Sequence, residues 1–292
     1  MKSFKFKIKS IRIIIRRRII KQFIKLTKPK EMKETSGYWP DMSYKDDTLI
    51  FRKKEFETTT LDDFTSKEKH ETINIIGSGP SVNEIDKNLL QDKANIFLNG
   101  AISIAKENKL PILCLIIMDS TFIKNRFDLI KSIEEPCHLF LNLSSACAIA
   151  ERDPSILEKH KITIFKISKG EHSNFFNHNE SYFSKNLNHG IFDGGTVMSV
   201  AIQLAFHFSP KAVYLLGLDI NNSTEPRFYE TKNHKLKSGL LKDYEKKILP
   251  FMTLSKKCYK RKNISLFNCS PVSKLPYDII AYSDIYKKTN TN

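Results

Sequence analysis

The 292-residue sequence has no run of 18 uncharged apolar residues, no CxxC pair and, within its first 30 residues, no acidic side chain. The first absence argues against a transmembrane helix. The second, with five scattered cysteines (Cys114, Cys137, Cys147, Cys258 and Cys269), argues against a disulfide framework or a structural zinc site. It points instead to reduced, buried thiols in a cytosolic setting. The third absence locates the charge. Residues 1–30 hold 12 Lys and Arg, so the formal +16 falls to 36 basic against 32 acidic residues in the rest of the chain. A signal peptide is not expected either, because Arg16-Arg17-Arg18 interrupts any apolar core and no small-residue cleavage site follows.

Within that segment Ile11, Ile15, Ile19 and Phe23 recur every four residues, while Arg12, Arg16, Lys21 and Lys25 lie on another side. This pattern predicts a basic amphipathic helix suited to an anionic membrane surface. Nucleic acid would satisfy the charge but leaves the aliphatic stripe unexplained. Residues 31–70 read as a lead-in with one strand near Thr48–Arg52, and residues 71–292 as one α/β domain.

Glycine is scarce, ten in all, and its clusters carry the argument. In "INIIGSGPSVNEI" a short β-branched run enters Gly77-Ser78-Gly79-Pro80-Ser81. A strand, a glycine turn and a helix start aim unpaired N–H groups at whatever lies above the strand end, a place suited to phosphate or carboxylate. The spacing is neither a Walker loop nor GxGxxG. Asn83–Leu90 is expected to be helical. Further strands end at Asn99-Gly100, Asp119-Ser120, Asn142, Asp219 and Asn268, and a glycine turn at Gly194-Gly195 precedes a helix from about Thr196 to Phe208. Near-continuous apolar strands between amphipathic helices predict an α/β, Rossmann-like fold whose mostly parallel sheet is buried on both faces. Ligands of such sheets bind beyond the strands' carboxyl ends. Small polar groups at six strand ends suggest a polar pocket with few cations.

"IIGSGPSVNEID" and "NHGIFDGGTVMSVAIQLAFHFSPKAVYLLGLDIN" resemble the bacterial sialyltransferases of glycosyltransferase family 42, with "FLNG", "IIMDS" and "LFNCSP" at their shorter strand-end motifs. The resemblance spans about residues 72–275. Lipopolysaccharide-core enzymes that add Kdo, an acidic sugar also activated as its CMP ester, share this look, including a basic N-terminal extension. It implies a GT-A-like inverting transferase that moves Kdo or sialic acid from a CMP-sugar to a lipopolysaccharide or lipooligosaccharide acceptor. It also implies no metal requirement, and a place on the inner face of the bacterial inner membrane.

By the same resemblance, Gly77, Ser78, Gly79 and Ser81 would cradle the phosphate or ribose, and Asn99 would bind near the phosphate. Asp119 or Ser120 would supply a second polar loop. Gly194, Gly195 and Thr196 would hold the sugar carboxylate, and Asp219 the cytidine end. Tyr229 is the nearest candidate to assist the departing phosphate. An inverting transfer needs a base for the acceptor hydroxyl. The resemblance points to His234, in "RFYETKNHKLKSGLL". His189 is the second candidate and Asp193 a carboxylate alternative. Two other readings stay open: a Mg-dependent pterin pyrophosphokinase-like enzyme using Asp119, Asp193 and Asp219, and a non-catalytic RNA-binding protein.

Overall fold

The computed structural model describes residues 2–27, 39, 41–66, 69–168, 180–221, 225–233, 235–236 and 238–288. The chain opens with a 26-residue helix, α1 (Lys2–Thr27), then an antiparallel meander of β1 (Met42–Lys45), β2 (Thr48–Phe51) and β3 (Lys54–Glu57). A short helix, α2 (Leu61–Ser66), leads into β4 (Thr72–Ile76). Strands and helices then alternate: β5 (Ala94–Leu98), α3 (Ile102–Asn108), β6 (Cys114–Ile117), α4 (Ser120–Asn125) and α5 (Phe127–Lys131). Next come β7 (His138–Asn142), α6 (Leu143–Arg152), α7 (Ser155–Lys159) and β8 (Lys161–Phe165). A two-residue parallel pair, β9 (Ile167–Ser168) and β10 (Ile191–Phe192), precedes α8 (Val197–His207) and β11 (Ala212–Leu216). The short α9 (Leu240–Asp243), then α10 (Leu249–Arg261) and β12 (Ser265–Asn268), complete the order.

The main sheet has seven strands in the order β12–β11–β4–β5–β6–β7–β8, all parallel. This is the expected α/β, Rossmann-like architecture. The chain runs outward from β4 to β8, then returns to the other side of β4 to place β11 and β12. The order therefore reverses between β4 and β11, and that reversal opens a crevice at the carboxyl ends of those two strands.

Helices cover both faces. One apolar layer packs Phe97, Leu115, Leu139 and Leu141 against α3, α4 and α6, and the meander's Leu49, Phe51 and Phe56 join it. The other packs Ile73, Ile75, Ile96 and Phe140 against α8 and α10. A polar network is buried at the sheet's middle. Asn74 Nδ2 donates to Asn95 Oδ1 across β4 and β5 at 2.9 Å, and Tyr286 Oη donates to Asn74 Oδ1 at 2.8 Å. Asn95 Nδ2 completes the set by donating to the Leu90 carbonyl at 2.8 Å.

Two expectations need correction. The lead-in holds a three-stranded meander rather than one strand. Residues 83–90 are two 3₁₀ turns, Pro80–Glu84 and Lys87–Leu90, not a helix. Between them Ile85 is extended, bridges Lys287, and hands over to Asp86, whose side chain caps Asn88 N.

Candidate functional site

The crevice contains a cavity of about 80 Å³ lined by the Gly77–Pro80 turn, Gly217–Asp219 and the start of α8 at Thr196–Met198, with Leu98 beside them. Gly77 N donates to the Leu216 carbonyl and Gly79 N to the Gly217 carbonyl, at 2.8 and 3.1 Å. The β4 turn is thus stitched to the β11 turn. Gly217 adopts φ +70°, and a Cβ there would lie 2.5 Å from Val82 Cγ2, so only glycine suits the crossing. At Gly79 a Cβ would fall 2.6 Å from Asp219 Oδ2. The missing side chain makes room for this carboxylate.

Asp219 is buried and receives two bonds from one residue, Ser81 N at 2.6 Å and Ser81 Oγ at 2.5 Å. Ser81 Oγ also lies 3.3 Å from Ser270 Oγ, which accepts from Leu218 N at 2.7 Å. A knot of Ser81, Asp219 and Ser270 therefore fixes both turns from three parts of the chain. Ser270, in the quoted "LFNCSP", was not singled out from sequence: its signal is a hydroxyl two residues past a strand-end asparagine. That Asn268 in turn accepts from Ser270 N at 3.1 Å.

Asn99 sits at the end of β5 with φ +49°. Its Oδ1 is shielded from solvent and has no hydrogen-bond partner among the described residues. A buried acceptor left open costs free energy, and it is suited to a ligand donor. Gly100 beside it is the floor for Tyr229: a Cβ there would land 2.2 Å from the phenol ring. Tyr229 hydrogen-bonds the Ser78 side chain, and Arg126 caps it, with Cζ 5.1 Å from the ring centroid and Nη1 3.0 Å from the Tyr229 carbonyl. Burial is the main cause that pushes the Tyr229 phenol up to about 12. It therefore stays protonated at neutral pH and can donate to an anion.

The segment carrying Tyr229 closes the cavity with Glu225, Arg227, Leu236 and Ser238. Its shape comes from Glu230, which is buried and accepts from Arg227 N, Arg227 Nη1 and Leu236 N at 3.0, 2.8 and 3.2 Å. At 80 Å³ the cavity is far below the roughly 300–1,000 Å³ of small-molecule sites.

The remaining candidates lie elsewhere or are already engaged. Gly194 N donates to Ser199 Oγ at 3.0 Å and Gly195 N to Asp193 Oδ1 at 2.9 Å, so both amides expected to hold a carboxylate have internal partners. Asp193 thereby acts as a turn former. Thr196 caps α8, its Oγ1 accepting from Met198 N at 3.3 Å, and lines the cavity. Asp119 caps α4 by accepting from Thr121 N at 2.7 Å, and Ser120 Oγ accepts from Lys21 Nζ at 3.2 Å. His189 borders a different groove with Ser168 and Phe192. His234 lies outside the described residues. Among those described, no group of three or more His, Cys, Asp or Glu side chains is placed to hold a metal ion.

At the opposite, amino-terminal edge of the sheet, His160 Nδ1 accepts from Cys137 N at 3.1 Å and lies 3.5 Å from Cys137 Sγ. Burial pushes the thiol up to about 12, and burial with Lys159 nearby brings the imidazole down to about 4. Both are neutral, so this is packing and not a thiolate–imidazolium pair. It has a consequence for stability. His160 takes a proton near pH 6.5 when unfolded but near 4 when folded, so stability is full above pH 6.5 and falls as pH drops towards 4. Urea melts of wild type and His160→Asn between pH 7 and 4 should show the variant losing less over that window, by about 3 kcal/mol at most. Parallel losses would show that other groups set the acid limb.

Residues 177–286, just over a third of the chain, match the family described as 3-deoxy-D-manno-octulosonic acid transferase WaaZ. A search of curated proteins finds no match. Among solved structures, the sialyltransferase CstII from Campylobacter jejuni in complex with the substrate analogue CMP-3FNeuAc is 16% identical, with 75% of this chain and 89% of that chain covered and a TM-score of 0.41. The sialyltransferase CST-II with trisaccharide acceptor and CMP is 18% identical, at 75% and 91% coverage and a TM-score of 0.40. The MAf glycosyltransferase from Magnetospirillum magneticum AMB-1 is 15% identical, at 84% and 37% coverage and a TM-score of 0.49. The expected likeness to Kdo transferases is met over the matched residues, and that family match supports a glycosyltransferase.

Proposed function

We propose that the chain is an inverting glycosyltransferase that moves an acidic sugar, Kdo or sialic acid, from its CMP ester to a lipopolysaccharide or lipooligosaccharide acceptor. It would work at the inner face of a bacterial inner membrane. The observation that carries this reading is the crevice between β4 and β11. Two glycine turns, Gly77–Gly79 with Ser78 and Gly217, wall it with the start of α8, the open Asn99 Oδ1 stands just past the end of the adjoining β5, and Tyr229 hydrogen-bonds Ser78. The family match over residues 177–286 supports the sugar class.

In this reading the Gly77–Gly79 turn and Ser78 bind the donor phosphate. Tyr229 donates to it as it departs, where charge develops. Asn99 orients the nucleotide, and Asp219 holds the turn rather than the ligand. His234 takes the acceptor proton. The Gly194–Thr196 turn meets the sugar carboxylate only after Asp193 or Ser199 yields its amide.

Isothermal titration with CMP in excess EDTA tests the donor site. Binding should be undiminished by the chelator, because backbone amides and small polar groups take the place of a metal clamp. Transfer assays with CMP-Kdo and CMP-sialic acid, read by mass spectrometry of the acceptor, should then proceed in EDTA as well. An absolute Mg²⁺ requirement, with ATP binding in place of CMP, would instead favour the pyrophosphokinase-like reading.

A further inference from the structure

Helix α1 presents two opposite faces. The inner one is fastened to the body. Arg17 Nη1 meets Glu151 Oε2 at 2.6 Å, Arg17 Nη2 donates to the Ser144 carbonyl at 3.0 Å, and Lys21 Nζ donates to Ser120 Oγ at 3.2 Å. Ile24 is fully buried. Both cations also lie over the ring of Trp39, at 5.1 and 5.8 Å from its centroid, and that ring is 4% exposed.

The outer face is open and mostly apolar, with the exposed Arg12 at its amino-terminal end. Ile15, Ile19, Phe23 and Leu26 are 50, 63, 50 and 81% exposed. At about 100° per residue they fall within an arc of roughly 80°, nearly opposite Arg17, Lys21 and Ile24. Arg16 and Arg18, both exposed, flank that arc on its two sides. Four large aliphatic and aromatic groups in a row are more than isolated surface hydrophobics, and such a patch marks an interaction site. Its chemistry selects the partner. Residues 1–30 offer no carboxylate to pair with a second copy of the same basic helix. Nucleic acid would meet the arginines but leave the stripe in water. A layer with acyl chains below and phosphates above satisfies both at once.

The place of the inner face adds the rest. Ser120 and Ser144 stand just past the carboxyl ends of β6 and β7, two and three strands along from β4. With strands about 4.8 Å apart, α1 lies roughly 10–15 Å along the edge from the crevice. We infer that α1 lies flat on an anionic phospholipid surface while still clamped to the body through Arg17–Glu151, so that the bilayer is held at a fixed position beside the crevice's edge. The helix is a plate, not a tether. What this means for a lipid-linked acceptor rests on the transferase reading; the lipid contact and the clamp do not.

The full-length protein, co-sedimented with phosphatidylglycerol-containing vesicles, should bind, and should bind pure phosphatidylcholine vesicles much less. Ile19→Glu with Phe23→Glu changes two exposed residues and should cut the bound fraction by about tenfold or more while the fold persists. Trp39, the single tryptophan, reports the clamp. Its quenching by iodide should be as low on vesicles as in solution, and should rise in Glu151→Ala, which removes Arg17's ion pair and leaves it only the Ser144 carbonyl. Equal vesicle binding by the double variant, or none by the wild type, overturns the lipid face. Trp39 becoming iodide-accessible on vesicles overturns the clamp, since the helix would then have peeled away. Neither readout uses glycosyl transfer, so an inactive enzyme would leave both results intact.

Discussion

Asp219→Ala is expected to weaken CMP binding by about 100-fold or more and to lower stability by about 2–4 kcal/mol. The carboxylate is buried, and it is the acceptor for both the amide and the hydroxyl of Ser81. Removing it leaves the buried Ser81 amide unpaired and its hydroxyl with only the 3.3 Å contact to Ser270 Oγ, so the Gly77–Pro80 wall of the crevice loosens. Asp219→Asn should fall between wild type and alanine. Its amide oxygen can keep one Ser81 bond, but its NH₂ group faces a donor where an acceptor is needed. Chemical denaturation separates the two effects from titration with CMP, provided binding is measured where each variant is fully folded. An alanine variant that melts near wild type and binds CMP normally would show that the nucleotide goes elsewhere.

His234→Ala should slow transfer by about 10²- to 10⁴-fold, the usual worth of a general base, with CMP affinity nearly unchanged. The expectation comes from the residue's place in the polar segment between the "GLDIN" strand end and the next helix, and from the resemblance. The described neighbours Glu230 and Leu236 are tied to each other at 3.2 Å. A base must be neutral to act, so the wild-type kcat should fall as the imidazole takes up a proton on the acid side. The variant should lack that limb. His189→Ala is the comparison: it borders a separate groove and should leave turnover within a few fold. Near-normal rates in His234→Ala with a dead His189→Ala would move the base to His189. Full activity in both would remove histidine from the mechanism.

The parallel sheet was legible because its strands are short and mostly apolar, rich in Ile, Leu and Phe, and most run into a glycine or a small polar residue. The meander was not. Its two hairpin turns, Asp46-Asp47 and Arg52-Lys53, take positive φ at all four positions without a glycine or asparagine, so the usual turn signal is missing. The 3₁₀ pieces at 80–90 depend on Ile85 pairing with a residue some 200 positions later, which no local window shows. Within the site, the glycine turns and their neighbours could be named, but not their partners. Nothing in "FDGGTVMS" says that Asp193 and Ser199 will take up the Gly194 and Gly195 amides. Nothing in "GSGPS" says that the space above Gly79 belongs to Asp219.

The amide pair in the middle of the sheet bears on how the crevice is aligned at all. Parallel strands of interchangeable aliphatics fit one another nearly as well after a slip along their length. Asn74 and Asn95 do not: they stand opposite each other in the β4–β5 register, between Ile73–Ala94 and Ile75–Ile96. A slip would set each amide against hydrocarbon and leave buried donors and acceptors open, at about 1–3 kcal/mol apiece. Tyr286 inspects the result from the far end of the chain, since its hydroxyl finds Asn74 Oδ1 only when the pair is in place. Three polar groups thus work as a key cut for one alignment, the one in which Ile76 pairs with Phe97 and the turns at Gly77 and Asn99 leave the sheet from neighbouring strand ends.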